Sequence, residues 1–249
     1  MPTTVERVVH ACTLIDFDGA RILTDPWFSE RPGYRQGESR SVESAAGLPE
    51  LAGIVISHGH YDHCDVAALA AYPDKDVPMA TAPGVADRLR AAGFTNVTEL
   101  ADWQSTELGP VRVTATPARH SVPEATFMLQ EGGSSVFFGA DTLRVPELDE
   151  VAARFPEIDL ALLPINGLSI RPMFNRKVVM DAEDAADLTR ALRPRLAVPI
   201  HYAFTAGPVR DALFLKLQRD RPDLYRDAAA DVAPDTDVRI LAPGETLAL

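Results

Sequence analysis

Ser57-His58-Gly59-His60-Tyr61-Asp62-His63-Cys64-Asp65 places three of the chain's six histidines within six residues. It follows residues 51–57, LAGIVIS, a short aliphatic and β-branched run that reads as a buried strand. His58 and His60 leave that strand two positions apart. In extended backbone both imidazoles then point the same way and can reach one ion. The chain next turns toward a helix over 66–71, where the adjacent Asp62 and His63 can reach a second ion beside the first. Gly59 lets the backbone turn tightly between ligands. Neutral imidazole and carboxylate suit Zn, Mn and Fe. The two cysteines, Cys12 and Cys64, form no CxxC pair, which argues against a closed structural zinc site. They read as small apolar residues in a reduced compartment.

Two ions need more ligands. Outward from the motif, three strong ligand types stand just beyond apolar strand-like runs: His120 after 111–116, Asp141 after 135–138, and His201 after 196–200. Of the histidines only His10 lies outside the set. The remaining elements are a hairpin over 5–25 turning at Asp18-Gly19, strands near 77–81 and 97–100, and a helix near 84–92. Strand then follows strand over 106–138, with a turn at Gly132-Gly133. A helix near 147–155, a strand at 158–163, a helix at 182–192 capped by Asp181, a strand at 196–200, a helix near 209–219 and a last strand near 238–241 complete the reading. Two stretches, 26–47 and 164–178, are irregular. The first is too long for a simple connector and reads as a mobile lid or a binding loop. Strands in runs with helices between them predict layered sheets covered by helices. With no short-period repeat and no Pro/Gly/Ser linker, residues 1–249 read as one domain.

Composition narrows the partners. Hydrophobic residues make up 46% and the net charge is −12. A surface so acidic repels phosphate backbones and anionic lipid heads over most of its area, so nucleic acid is not an expected partner. The N-terminus lacks the pattern of a signal peptide, and no apolar run is long enough for a membrane helix. The expectation is a cytoplasmic protein acting on a small molecule, and a homo-oligomer is compatible with it.

The ordered set H-x-H-x-D-H, then His120, Asp141 and His201, resembles the metallo-β-lactamase superfamily along nearly the whole chain. That resemblance implies an α/β fold, a four-layer αββα sandwich with a dinuclear site at one edge of the sheets. Carried over by position, His58, His60 and His120 would hold the first metal and Asp62, His63 and His201 the second. Asp141 would bridge them. Thr24-Asp25-Pro26, Tyr61, Asp65, Ile200-His201-Tyr202 and His10-Ala11 resemble the branch of L-ascorbate 6-phosphate lactonases and N-acyl-phosphatidylethanolamine phospholipases D. Asn166-Gly167, where lactonase-like members tend to carry a glycine pair, and the stretch 171–177 depart from it. The implied activity is metal-dependent hydrolysis of a phosphoester, lactone or ester. Two divalent ions, zinc first with manganese and iron as alternatives, would share a water whose pKa falls toward about 7. Asp62 and Asp141 are the expected catalytic carboxylates, with Asp62 orienting the nucleophile or accepting its proton.

Further candidates have plainer alternatives. Asp25 fixes a ligand histidine or simply forms the turn before Pro26. Asp65 does the same or stabilises a helix N-terminus. His10 faces the pocket or is a satisfied strand histidine, and Tyr202 contacts substrate or packs. Arg119, Arg171, Arg176 and Lys177, and Arg31, Arg35 and Arg40 in the early loop, bind phosphate or are solvated. Trp27, Phe28, Met173 and Phe174 line an apolar pocket or anchor loops. Two other classes compete with a hydrolase. A diiron redox protein of the same fold would resemble H-x-E-x-D at the first motif, where this chain has His60. A non-catalytic metal binder would not need the complete ligand set.

Overall fold

A computed structural model describes residues 2–218 and 221–249. Along the strand Thr126–Glu131, Phe127 and Leu129 face one way and Met128 the other, as period-two alternation requires. The same split separates Val136 and Phe138 from Phe137 in Ser134–Phe138. Each central strand therefore serves two apolar layers.

Two seven-stranded sheets result. The first runs Thr246–Ala248, Thr4–Val9, Cys12–Phe17, Ala20–Thr24, Gly53–Ile56, Met79–Thr81, Val97–Glu99. The second runs Asp237–Val238, Leu196–Ile200, Leu160–Pro164, Ser134–Phe138, Thr126–Glu131, Val111–Thr116, Ser105–Leu108. Ile15, Ile22 and Val55 of the first meet Val113, Phe127 and Leu162 of the second in the central core. Beyond the first sheet, Leu69 and Leu89 of the helices Val66–Leu69 and Ala86–Ala91 pack on Ile54 and Ile56. Beyond the second, the helices Asp149–Arg154, Ala182–Leu192 and Pro222–Val232 bring Val151, Leu188 and Tyr225 to Phe137 and Leu163. Three apolar interfaces between four layers make the αββα sandwich.

Several expectations need correction. The helix near 209–219 is Pro208–Phe214, after which Leu215–Lys216 is extended and pairs with Ser169–Ile170; Arg219 lies outside the described residues. The helix Pro222–Val232 was not expected. Its apolar face relies on alanines and on Tyr225, which gives weak hydrophobic contrast among its aspartates. The last strand near 238–241 is only Asp237–Val238, and the closing strand Thr246–Ala248, paired with Thr4–Glu6, was not foreseen.

The stretch 26–47 is tied down rather than lid-like. Trp27 is buried, and Gln36 pairs with Phe204. Gly37 N–H donates to Ala203 O at 2.6 Å, and a Cβ on Gly37 would lie 2.1 Å from that oxygen, so only glycine permits this approach. Glu38 accepts from His10 N–H at 2.9 Å and pairs with the buried Arg7.

Candidate metal centre

Six short segments leave the strands at one edge of the sandwich, and each carries a candidate side chain just past a strand's carboxyl end. They are His10 after Thr4–Val9, Asp25 after Ala20–Thr24, His58 after Gly53–Ile56, His120 after Val111–Thr116, Asp141 after Ser134–Phe138 and His201 after Leu196–Ile200. His10, Asp25, Ala140 and His201 have positive φ of 56°, 33°, 46° and 56°. Non-glycine residues held there are strained, and such strain gathers at functional sites when the surroundings enforce it.

The side chains converge in two groups. In the first, His60 Nδ1 lies 2.9 Å from His58 Nε2 and 3.2 Å from His120 Nε2. One proton on His60 Nδ1 can satisfy only one of those contacts, so lone pairs are left facing each other; a divalent cation would use all three. His120 Nδ1 donates to Val178 O at 2.8 Å, which fixes the tautomer with the Nε2 lone pair inward.

In the second group, His10, Asp62, His63 and His201 bring donor atoms within 4.8 Å of one another. Asp141 faces both groups, with Oδ1 2.8 Å from His201 Nε2, and Oδ2 3.3 Å from His63 Nε2 and 4.0 Å from His120 Nε2. Buried and without a hydrogen bond are His63 Nε2, His201 Nε2 and both ring nitrogens of His10. Orphaned buried nitrogens are costly. Their convergence on carboxylates fits divalent metal at both groups.

The electrostatics separate the two groups. Burial, reinforced by neighbouring imidazoles, pushes His58, His60 and His120 below the usual histidine value. His63 goes the other way: burial would lower it, but Asp141, Asp62 and Asp25 raise it well above. Asp62 and Asp141 are held low although burial opposes it, Asp62 chiefly by His63 and His10, Asp141 by His201 and His63. Burial together with His201 lowers His10 to about 3.

The surrounding shell is only partly as expected. Asp25 stands against a histidine of the second group. Its Oδ2 is 2.7 Å from His63 Nδ1, and it accepts from Ser57 N–H at 2.7 Å and Ser57 Oγ at 2.6 Å. Ser57 Oγ in turn stands 2.9 Å from His58 Nδ1, so one carboxylate braces both groups. His10 lies in the site, its ring centroid 3.9 Å from that of His201 and its Nε2 3.5 Å from Asp62 Oδ2. Asp65 instead accepts from Ala68 N–H at 3.2 Å as a helix cap and from Ser29 Oγ at 2.6 Å, tying the early loop. Tyr202 points inward, its hydroxyl on Arg7.

The expected phosphate cations disperse. Arg119 pairs with Glu147 at 3.5 Å, Arg171 Nε donates to Leu215 O at 2.6 Å, and Lys177 is held by Asp181 and Asp184 at 2.6 Å each. Arg40 donates to Phe28 O at 2.7 Å, and Arg31 covers the Tyr61 ring at 3.9 Å. Arg35 stays exposed. Trp27 and Phe28 are buried anchors, and Phe174 is fully exposed. Of the candidate cations, Arg176 borders the cavity over the metal groups; Met173 lies on its wall.

A further acidic residue stands in the site. Glu124 is buried, accepts from Asp141 N–H at 2.8 Å, and sits 3.4 Å from His58 Nδ1. Burial, with Asp141 nearby, pushes its carboxyl well up. A lone Glu in the loop 117–125 carries no motif, so nothing in the sequence marked it.

A family model described as "Beta-lactamase superfamily domain" matches residues 20–202. An uncharacterized protein of Mycobacterium tuberculosis is 33% identical over 175 residues, 63% of this chain and 46% of that protein. The chain thus spans about half the length of that relative. A metal-dependent hydrolase of Deinococcus radiodurans is 27% identical over 98% of this chain and 99% of its own. In fold, the chain is similar to CmlA, a diiron β-hydroxylase from Streptomyces venezuelae. The TM-score is 0.79 at 21% identity, over 100% of this chain and 54% of that one.

Proposed function

We propose, because the chain belongs to the beta-lactamase superfamily, that it is a metal-dependent hydrolase with a dinuclear site, formed within one catalytic domain, for a small ester, lactone or phosphoester. The observation that carries this reading is Asp141, whose carboxylate reaches toward His120 of the first group on one side and His63 and His201 of the second on the other. His58, His60 and His120 would hold one ion, Asp62, His63 and His201 the other, with Asp141 between. Zinc, manganese and iron all suit these donors. Bound there, two divalent ions supply Lewis acidity and a water acidic enough to be a nucleophile at neutral pH.

The chain's own residues do the rest. Asp25 and Ser57 fix the two imidazoles they touch, and Val178 O fixes His120, so the donors are oriented before anything binds. Asp62, held ionised beside His63 and His10, is placed to accept a hydrogen bond from the nucleophilic water and orient it. Thr24-Asp25-Pro26 and Ile200-His201-Tyr202 support placing the chain near lactonases and phosphodiesterases within the superfamily.

The test is reconstitution with Zn and, separately, Mn, followed by metal counting and turnover of a chromogenic phosphodiester and carboxylic ester. Two ions per chain and metal-dependent turnover, both lost in Asp141→Ala, are expected. Two bound ions with no hydrolysis of either class would remove the hydrolase reading. The second reading, a diiron redox protein, shares its fold with CmlA; Fe(II)-loaded protein consuming dioxygen would support it.

A further inference from the structure

The metal groups form the floor of a cavity of about 430 Å³, within the range that takes a small organic ligand. Its wall is largely apolar: Tyr34, Leu168, Ile170, Val178, Phe204 and Leu215 stand around it, with Met173 at the mouth. The wall is built where the tied-down early loop meets Phe204–Thr205, and where Ser169–Ile170 pairs with Leu215–Lys216 and with Arg176–Lys177. The apolar character continues outward. Among the described residues, five of the six exposed large hydrophobic side chains belong to the segments flanking the mouth: Met173, Phe174, Val209, Leu213 and Phe214.

Charge is scarce on that wall. Arg176 is its one cation, and among the described residues it has no carboxylate within ion-pair distance. Lys177 points away into Asp181 and Asp184, and Arg171 spends its Nε on a backbone carbonyl. A phosphomonoester dianion is normally met by several charge-assisted donors. A sugar would need polar partners that an aliphatic wall does not offer.

From this we infer, resting on the hydrolase reading above, that the substrate is a carboxylic ester or lactone with a hydrophobic body and at most one negative charge, set at Arg176. The scissile carbonyl lies over the metal groups, the acyl body lies along Ile170, Phe204 and Leu215, and a terminal carboxylate reaches Arg176. Hydrolysis is balanced by water alone: its oxygen joins the acyl carbon, the ester C–O bond breaks, and the alcohol leaves with a proton.

The probes are p-nitrophenyl acetate, butyrate and hexanoate, the mono-p-nitrophenyl ester of adipic acid, and bis-p-nitrophenyl phosphate, with metal-loaded protein. Calorimetry of hexanoate and acetate binding gives a readout that needs no turnover. We expect kcat/KM to rise about fourfold per methylene from acetate to hexanoate, and to exceed that for the phosphodiester. Met173→Asn with Leu215→Asn should flatten that rise. Arg176→Gln should lower the adipate-to-hexanoate selectivity about tenfold, and Arg176→Lys should restore most of it. Turnover flat in chain length, or best with the phosphodiester, overturns the substrate inference and leaves the hydrolase reading standing. No turnover of any probe with both ions bound overturns the hydrolase reading. Hexanoate binding at least tenfold tighter than acetate then still supports an apolar acyl cavity, and equal binding overturns it.

Discussion

The floor and the wall of the cavity are built in opposite ways. The floor is made of side chains on short segments just past the carboxyl ends of sheet strands, mostly buried, and several are braced by a second polar group. Asp25 on Ser57 and His63 is the clearest case. The wall is made of two-residue strands, Ser169–Ile170, Arg176–Lys177, Phe204–Thr205 and Leu215–Lys216, half open to solvent, two of whose three pairings cross long sequence separations. On the proposed reading, the chemistry rests on the sheets, whose core fixes positions, and discrimination on short segments held by a few pairings and by contacts to the early loop and the helix Ala182–Leu192.

If that contrast is right, the largest effects come from the floor. Asp141→Ala should abolish dinuclear binding and hydrolysis, read by metal analysis and by turnover. Next, Asp25→Asn should weaken metal affinity about 10–100-fold, as losing a ligand's orienting partner does, while the purified protein stays folded by circular dichroism. The two halves of the floor should also differ in pH response. His63 is raised above the usual histidine value by the carboxylates around it, so an ion at its group competes with a more tightly held proton. Affinity there should therefore climb with pH, up to about tenfold per unit, until the raised pKa is passed. His58, His60 and His120 are lowered, so their ion meets less proton competition and should bind with the weaker pH dependence of the two. Calorimetric zinc titrations at pH 6.5 and 7.5, in buffers of different ionisation enthalpy, count the protons. Equal release at both ions would break this distinction.

The floor was legible because its residues come in a local motif or directly after a strand-like run. His58, His60, Asp62 and His63 lie within six positions, and His120, Asp141 and His201 each close an apolar stretch. The sandwich was legible through the same strands. The wall was not. Nothing in residues 164–178 or 203–216 says that Ile170 will pair with both Arg176 and Leu215, because two-residue strands have no periodicity to read. Charged residues misled for a related reason: sequence shows that Lys177 is cationic, but not that two aspartates already hold it. Glu124 shows the limit on the floor itself, a buried group placed by tertiary contact from a loop without a signature.

Smaller effects test the junction between the regions. Gly37→Ala should force a Cβ against Ala203 O, two residues from His201. Displacing that contact should cost about 1–3 kcal/mol of stability, measured by denaturant unfolding. It should also disturb substrate selectivity more than metal content, because the early loop supplies Tyr34 to the wall.

The smallest effect should come from Lys177→Ala, and its smallness is informative. By sequence Lys177 stands beside Arg176 as an equal candidate for an anionic substrate. In the structure its ammonium lies 2.6 Å from both Asp181 and Asp184, the N-cap and third residue of the helix Ala182–Leu192. Its pKa is raised by those carboxylates although partial burial opposes it. Removing the side chain should cost only about 0.2–1 kcal/mol, since the pair is largely solvent-screened and the capping hydrogen bonds from the backbone remain. Ester selectivity should change by less than about twofold, because no substrate contact is lost, whereas Arg176→Gln shifts it about tenfold. If Lys177→Ala instead matched Arg176→Gln, the helix cap would be releasing its lysine to the substrate, and the wall would carry two cations rather than one.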